Sequence, residues 1–148
     1  MTVTTRPVAK DDFEHWNRLY EGYAQFYGVV QDRPMRDTVW GWLHDADHQT
    51  CGLIAQDAEG KVIGLAHYRP FARPLAAATG GFLDDLFVDP QARGSGAAAA
   101  LIDALRTEGE RRGWSLIRWI TADDNYRARA LYDKMATRTQ WLTYDIKI

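Results

Sequence analysis

Residues 80–113, GGFLDDLFVDPQARGSGAAAALIDALRTEGERRG, carry the strongest constraint in the chain. An apolar, strand-like run is stopped by Pro90, a turn holds Gly94 and Gly96, and a helix led by four alanines follows. Ala97, Leu101 and Leu105 lie on one stripe with Ala98 and Ile102 beside it, which predicts a helix over Ser95 to Arg112 that Gly113 ends. Such a junction turns unpaired backbone N–H groups outward at the positive end of the helix dipole, a natural seat for phosphate. Gly94 and Gly96 let the main chain take positive φ and approach a ligand closely.

The remaining elements fall around this unit. Thr2 to Val8 reads as an opening strand, and Asp11 or Asp12 caps a helix whose Trp16, Tyr20, Tyr23 and Tyr27 recur at helical spacing. A second helix is expected from about Arg36 to His48. GLIAQDAEGKVIGLAHYRPF gives two strands with a hairpin turn at Glu59 and Gly60, and GGFLDDLFVDP gives a third. After Gly113, WSLIRWIT reads as a strand, NYRARALYDKMA as a short helix capped from Asp123, Asp124 or Asn125, and WLTYDIKI as a last alternating strand. The order β, α, α, β, β, β, α, β, α, β describes a mixed α/β fold, an antiparallel meander followed by strands joined through helix crossovers.

A length of 148 residues fits one domain over 1–148. Apolar residues at 46% and charged residues at 26% are ordinary for a soluble chain, and no run is long enough to span a bilayer. The amino terminus lacks an apolar signal core and Cys51 is the only cysteine, so a cytoplasmic protein without internal disulfides is expected. A net charge of −2 with scattered arginines argues against a nucleic-acid partner and leaves room for a small cationic one.

Three readings compete for QARGSG. A phosphate loop of the Walker kind needs a Gly-Lys-Ser/Thr ending, and this helix start has no lysine. A dinucleotide fingerprint is met permissively by Gly94, Gly96 and Ala99, with Asp123 after the next strand, but that fold opens with its fingerprint and needs several more βα units. A glycine turn that only joins strand to helix is the third. The sequence downstream adds a fourth. Gln91, Arg93, Gly94 and Gly96, preceded by LDDLFV and followed by SLIRWIT and by Asn125, Ala128, Leu131 and Tyr132, resemble the cofactor motif of the GNAT superfamily of N-acetyltransferases. The resemblance is strong over 80–148 and rests on element order before that. Ala136 and Thr137 stand where the family usually has glycine and an aromatic, so the exit from the last helix departs from its pattern.

The resemblance implies a central, mostly antiparallel sheet with one splayed parallel strand pair and helices on both faces. It further implies acetyl-coenzyme A as cosubstrate, no metal, and transfer of acetyl to a primary amine, with small histone, polyamine or D-amino-acid acetyltransferases as the nearest subgroup. The cofactor would lie against Leu86, Phe87 and Val88, whose main chain would bond the pantetheine, and the loop Gln91, Ala92, Arg93, Gly94, Ser95, Gly96 and Ala97, with Asn125 and Tyr132 opposite. Tyr132 matches the family's general acid and Asp84 its usual carboxylate on that strand. A homodimer paired through the terminal strand is the matching assembly. The alternatives are a protein-lysine acetyltransferase and a coenzyme A-binding module without activity.

The chemistry requires such groups. An alkylammonium is only about one part in a thousand free base at neutral pH, so its proton must be taken before the nitrogen attacks a thioester. Asp84 and Asp85, adjacent on a strand, should point to opposite sheet faces, so one at most reaches a given cleft directly. Asp84, shorter than the family's glutamate, would act through a water. The departing thiolate needs a proton, which a phenol can supply. Asn125 either bonds the cofactor or caps its helix. Trp16, Tyr20, Tyr23 and Tyr27 are expected in the core, with Tyr23 and Phe26 as candidates for an acceptor wall and Glu21 and Asp32 as further carboxylates suited to a cation. Cys51 reads as a small buried residue in preference to an acyl-carrying nucleophile, and His44 with His48 as a solvated helix end in preference to a two-ligand metal face.

Overall fold

The computed structural model describes residues 2–148. Strands β1 (Thr4–Pro7), β2 (Cys51–Gln56), β3 (Val62–Arg73), β4 (Ala78–Val88) and β5 (Ile117–Arg118) form one sheet in chain order. The first four are antiparallel neighbours and β4 pairs with β5 in parallel. That sequential order is incompatible with a doubly wound dinucleotide fold. Helices α1 (Phe13–Phe26) and α2 (Arg33–Leu43) cover one face, and α3 (Ala97–Arg112) with α4 (Tyr126–Met135) the other. The mixed α/β fold expected from the sequence is therefore the one observed.

Local chemistry sets most boundaries. Asp57 Oδ1 accepts from the N–H of Glu59 and of Lys61 at 3.0 and 2.9 Å, and Gly60 takes φ of 81°, which closes the β2–β3 hairpin where expected. Helix α2 starts earlier than periodicity suggests, because Asp32 accepts the Met35 N–H at 2.9 Å and a proline stands in the first turn. It stops at Leu43, so His44 and His48 do not share a helical face. Asp12 sits at the start of α1 without capping it; its carboxylate turns back to the Ala9 N–H and to both outer nitrogens of Arg6, at 2.7 to 2.8 Å.

Two expectations fail at the carboxyl end. WSLIRWIT supplies only the two paired residues of β5, and residues 136–148 form no strand. Trp141 is 85% exposed and Ile146 89%, and Leu142, Tyr144 and Ile148 are exposed too. Alternation makes a segment able to pair, but pairing needs a neighbour, and β5 offers two residues of ladder.

A third expectation fails inside β4. The β3–β4 register shifts between His67 and Tyr68: His67 opposes Asp85 while Tyr68 opposes Leu83, so Asp84 is the extra residue of a β-bulge. Leu83, Leu86 and Val88 all pack on the α3 side, while Asp85 contacts His67 and Tyr20 and Phe87 packs in the α1 cluster. Simple alternation across 83–86 is thus broken, and the two aspartates do not divide between the faces as a regular strand would divide them.

Candidate active site

The α3 side is a dry aliphatic core of Leu53, Ala66, Leu83, Leu101, Ile102 and Leu105. It fixes the helix whose amino end forms the glycine turn. Gly94 and Gly96 take φ of 82° and 86°, and a Cβ on either would meet nothing within 4 Å, so both sides of the turn are open. In the first turn of α3, Ala97 N–H bonds Ser95 Oγ at 3.3 Å and Ala100 N–H bonds the Gly96 carbonyl at 3.0 Å. The amides of Ala98 and Ala99 have no acceptor among the described residues. Asp89 anchors the turn from behind. It accepts the Gln91 N–H at 3.0 Å and pairs with Arg18 of α1 at 3.2 Å; burial would raise its pKa, but these bonds hold it below the ordinary value.

β4 and β5 pair only at Gly81 with Ile117 and Phe82 with Arg118. From Leu83 onward the far edge of β4 has no strand beside it, and a cleft of about 420 Å³ opens there. Leu86, Phe87 and Val88 form one wall, each paired through its other edge with β3. Ala92, Arg93, Gly94, Ser95, Gly96 and Ala97 form the floor with Ala98 and Ala99. Asn125, Arg127, Ala128, Leu131 and Tyr132 close the opposite side, and Phe26 and Tyr27 the rim. Gln91 lies outside the lining. A pantetheine chain with a pyrophosphate fits this donor set: free helix-end amides, glycines that leave room, and an unpaired strand edge.

Tyr132 stacks edge-on against Trp119 with ring centroids 5.3 Å apart. Burial, and secondarily the neighbouring Tyr27, push its phenol up to about 12, so it holds its proton at neutral pH. Asn125 occupies the cap position of α4 without a capping bond; its amide instead donates to Tyr27 Oη at 3.3 Å and Thr121 Oγ1 at 3.5 Å, across the cleft mouth.

The aromatic stripe of α1 grades along its length. Trp16 and Tyr20 are core, Tyr23 is half-buried against Phe87 at 5.7 Å, and Tyr27 is exposed at the cleft. Phe26 is exposed, with the Arg93 guanidinium 5.6 Å from its ring centre. The sequence predicts the stripe in the core with Tyr23 as the candidate for an acceptor wall; it is Tyr27, its last member, that borders the cleft.

The aspartates differ in surroundings. Asp84 pairs with Arg69 at 3.1 Å, both side chains about a third exposed, and partial burial raises its pKa against the pull of Arg69. Asp85 Oδ2 accepts from Tyr20 Oη at 3.0 Å and lies 2.8 Å from His67 Nδ1. Burial would raise its pKa, yet the bonds from His67, Tyr20 and Tyr23 outweigh it and hold the carboxyl below its usual value. Sequence reasoning named neither His67 nor Arg69. Both stand on β3, His67 opposite Asp85 and Arg69 opposite Phe82 but within reach of Asp84, a relation that only the sheet register reveals. Glu21 pairs with Arg36 of α2 at 3.4 Å and Asp32 caps α2, so both have structural partners. Cys51 is half-buried on β2.

Comparison with known proteins gives one consistent answer. A family model for acetyltransferases of the GNAT family matches residues 16–136. The D-amino-acid N-acetyltransferase HPA3 of Saccharomyces cerevisiae is 28% identical over 143 residues, 96% of this chain and 89% of that protein. An uncharacterized N-acetyltransferase of Bacillus subtilis, YhfO, is 31% identical over 116 residues, 78% and 76% of the two chains. A ribosomal-protein-alanine N-acetyltransferase from Brucella melitensis biovar Abortus superposes over the full length of both chains with a TM-score of 0.82 and 25% identity. The matched span takes in the glycine turn, the splayed strand edge and Tyr132: the chain belongs to the GNAT acetyltransferase family, whose members use acetyl-coenzyme A as cosubstrate.

Proposed function

We propose that the protein moves the acetyl group of acetyl-coenzyme A to a primary amine of a small molecule, by direct transfer in a ternary complex. One observation carries the reading: the same cleft is lined by the glycine-turn backbone, the unpaired edge of Leu86 to Val88 and the protonated Tyr132. Acetyl-coenzyme A supplies the activated acyl group. The free amides of the turn and first helical residues, Ala98 and Ala99 among them, with Gly94, Ser95, Gly96, Ala97 and Arg93 around them, hold its pyrophosphate, Gln91 and Ala92 shape the turn, and Leu86 to Val88 orient the arm and thioester carbonyl through their main chain. Asp84, with its pKa raised by partial burial, receives the amine's proton through a water. The amine nitrogen then bonds to the acyl carbon, the carbon–sulfur bond breaks, Tyr132 gives its proton to the sulfur, and the second proton that the nitrogen sheds on becoming an amide restores the tyrosine. The products are an amide and free coenzyme A.

Tyr23, Phe26, Asp84 and Asp85 border the acceptor side. The D-amino-acid acceptor in the name of the yeast relative supports a small amine. The Brucella protein is named for a protein acceptor, so peptides belong in the test. We assign the exposed apolar tail, 141–148, to contact with a second copy in a cytoplasmic homodimer. A groove of about 240 Å³ beside its root, lined by Ile102, Trp114, Ile117, Trp119 and Met135, is the matching surface. The deciding experiment measures free thiol released from acetyl-coenzyme A across polyamines, amino acids of both hands, aminoglycosides and a lysine peptide. Release with a small amine and none with the peptide is expected; the reverse, or none with any, overturns the reading. Tyr132→Phe should lower kcat about 100-fold with little change in the KM for acetyl-coenzyme A. A turnover number unaltered across the pH range would remove Tyr132 from the mechanism.

A further inference from the structure

His67 is 2% exposed, on the sheet face under α1. Its two ring nitrogens have different partners. Trp16 Nε1–H donates to His67 Nε2 at 2.9 Å, and His67 Nδ1 faces Asp85 Oδ2 at 2.8 Å. An indole nitrogen can only donate, so Nε2 must present its lone pair. The imidazole proton then sits on Nδ1 and is given to Asp85, and the ring is neutral. Tyr20 Oη donates to the same carboxylate oxygen at 3.0 Å. The Tyr20 and Tyr23 phenols are pushed well above the ordinary tyrosine value, by burial first and then by the Asp85 charge, so they remain donors.

The result is a mostly buried carboxylate, its side chain 19% exposed, whose partners within the chain are neutral donors. No arginine or lysine pairs with it among the described residues, whereas Asp84 beside it has Arg69. A second group in the same place also lacks a partner. Gln31, in the segment between α1 and α2, reaches the Tyr20 hydroxyl with its side chain, and its Oε1 is buried without a hydrogen bond among the described residues. A buried anion without a counter-ion and a buried acceptor without a donor both call for a cation that carries several N–H groups. Asp85 lies two residues along β4 from Phe87, which lines the cofactor cleft, a distance of roughly 7 Å on the same face. Tyr20, Tyr23 and Phe87 wall the approach with aromatic rings.

We propose that Asp85 and Gln31 Oε1 form the seat for the acceptor's primary ammonium group, with His67, locked by Trp16, as the positioning residue that aims the Asp85 carboxylate. The seat deepens the acetyl-transfer reading and rests on it for the identity of the ligand as acceptor. It selects an amine with one positive charge and an apolar or aromatic substituent. A second charge would have to lie against rings, since the one uncompensated anion is already used.

A binding assay separates this from turnover. Benzylamine, a cation at neutral pH, and benzyl alcohol, its uncharged counterpart, are titrated into the coenzyme A-bound protein and followed by NMR. Wild type should bind benzylamine about tenfold or more tightly than the alcohol, and Asp85→Asn should erase that margin while leaving the coenzyme A Kd unchanged. Gln31→Leu, on a segment outside the core, should weaken benzylamine about threefold and serves if Asp85→Asn does not fold. His67→Leu should weaken benzylamine about threefold. His67→Asn, whose amide can donate from the Nδ1 position, should restore most of the affinity, which a purely structural role for His67 would not produce. Equal affinity of wild type for the two probes, or undiminished benzylamine binding by folded Asp85→Asn or Gln31→Leu, overturns the proposal. If these results hold but no amine in the thiol-release panel is acetylated, the functional reading fails and the cation seat stands.

Discussion

The two faces of the sheet are made of different materials. The α3 face is aliphatic, with Leu53, Ala66, Leu83, Leu101 and Leu105 as its centre and Tyr68 as its one polar-tipped member. The α1 face is aromatic: Trp16 touches Phe13, Tyr20 and Trp40 at ring separations of 6.2, 5.2 and 4.9 Å, and His67 and Asp85 are buried among these rings. Aliphatic groups offer no donors, so the α3 core contributes to the cleft through main chain, at the glycine turn and the open edge of β4, and the side-chain donors on this face, Asn125 and Tyr132, come from the neighbouring α4 segment. Indole and phenol rings bury apolar area while keeping an N–H or O–H for a polar neighbour, and this lets the α1 face hold a charge. In the proposed reaction the backbone-built side serves acetyl-coenzyme A and the side-chain-built side serves the amine.

Substitutions can pull these sides apart. The largest effect is expected at the turn, where Gly94→Glu puts a side chain at φ of 82° and a negative charge in the proposed phosphate seat. Acetyl-coenzyme A affinity should fall about 100-fold or more by calorimetry, with benzylamine affinity preserved; loss of both would mean that the sides are not separable. Next, Leu105→Ala, at a fully buried α3 position, should cost about 2–5 kcal/mol in denaturant unfolding. Trp16→Phe keeps a ring but leaves His67 Nε2 without its donor, and should cost about 1–3 kcal/mol. It should also weaken benzylamine, a functional consequence that Leu105→Ala should lack at temperatures where both are folded. Equal binding defects would erase the contrast between the faces.

The smallest effect lies outside both faces. Arg111, helped by Arg112, holds Glu108 down at about 2 against the opposing pull of burial. Its stabilisation is complete above the ordinary glutamate value and is lost as pH falls toward 2. Because solvent screens this surface cluster, Glu108→Gln should change stability at pH 7 by less than about 1 kcal/mol, with the difference from wild type vanishing on acidification.

What could be read in the sequence was local. Gly94 and Gly96 after a strand, and Asn125 seven residues before Tyr132, are fixed by chain geometry within one unit, and the structure sets them around one cleft. The His67–Asp85 bond joins residues 18 apart on different strands and depends on a register that no short window contains. The bulge at Asp84 carries no glycine or proline to announce it, so strict alternation misassigned the DD pair. The tail 141–148 alternates as a strand should, yet lacks the neighbour that pairing requires.

The bulge has a consequence for how the chain can change. Gly81 must face Trp114, whose ring a Cβ there would strike, while Asp85 must face His67 on the other side. Four steps of plain alternation would bring Asp85 back to the face of Gly81, and the bulge prevents this by leaving Asp84 out of the ladder. Asp84 has no partner in the ladder, so the strand makes no demand on its identity. Substitutions at Asp84 should be tolerated by the fold, and its deletion should leave a regular strand in which Leu83 still opposes Tyr68 and Asp85 still opposes His67.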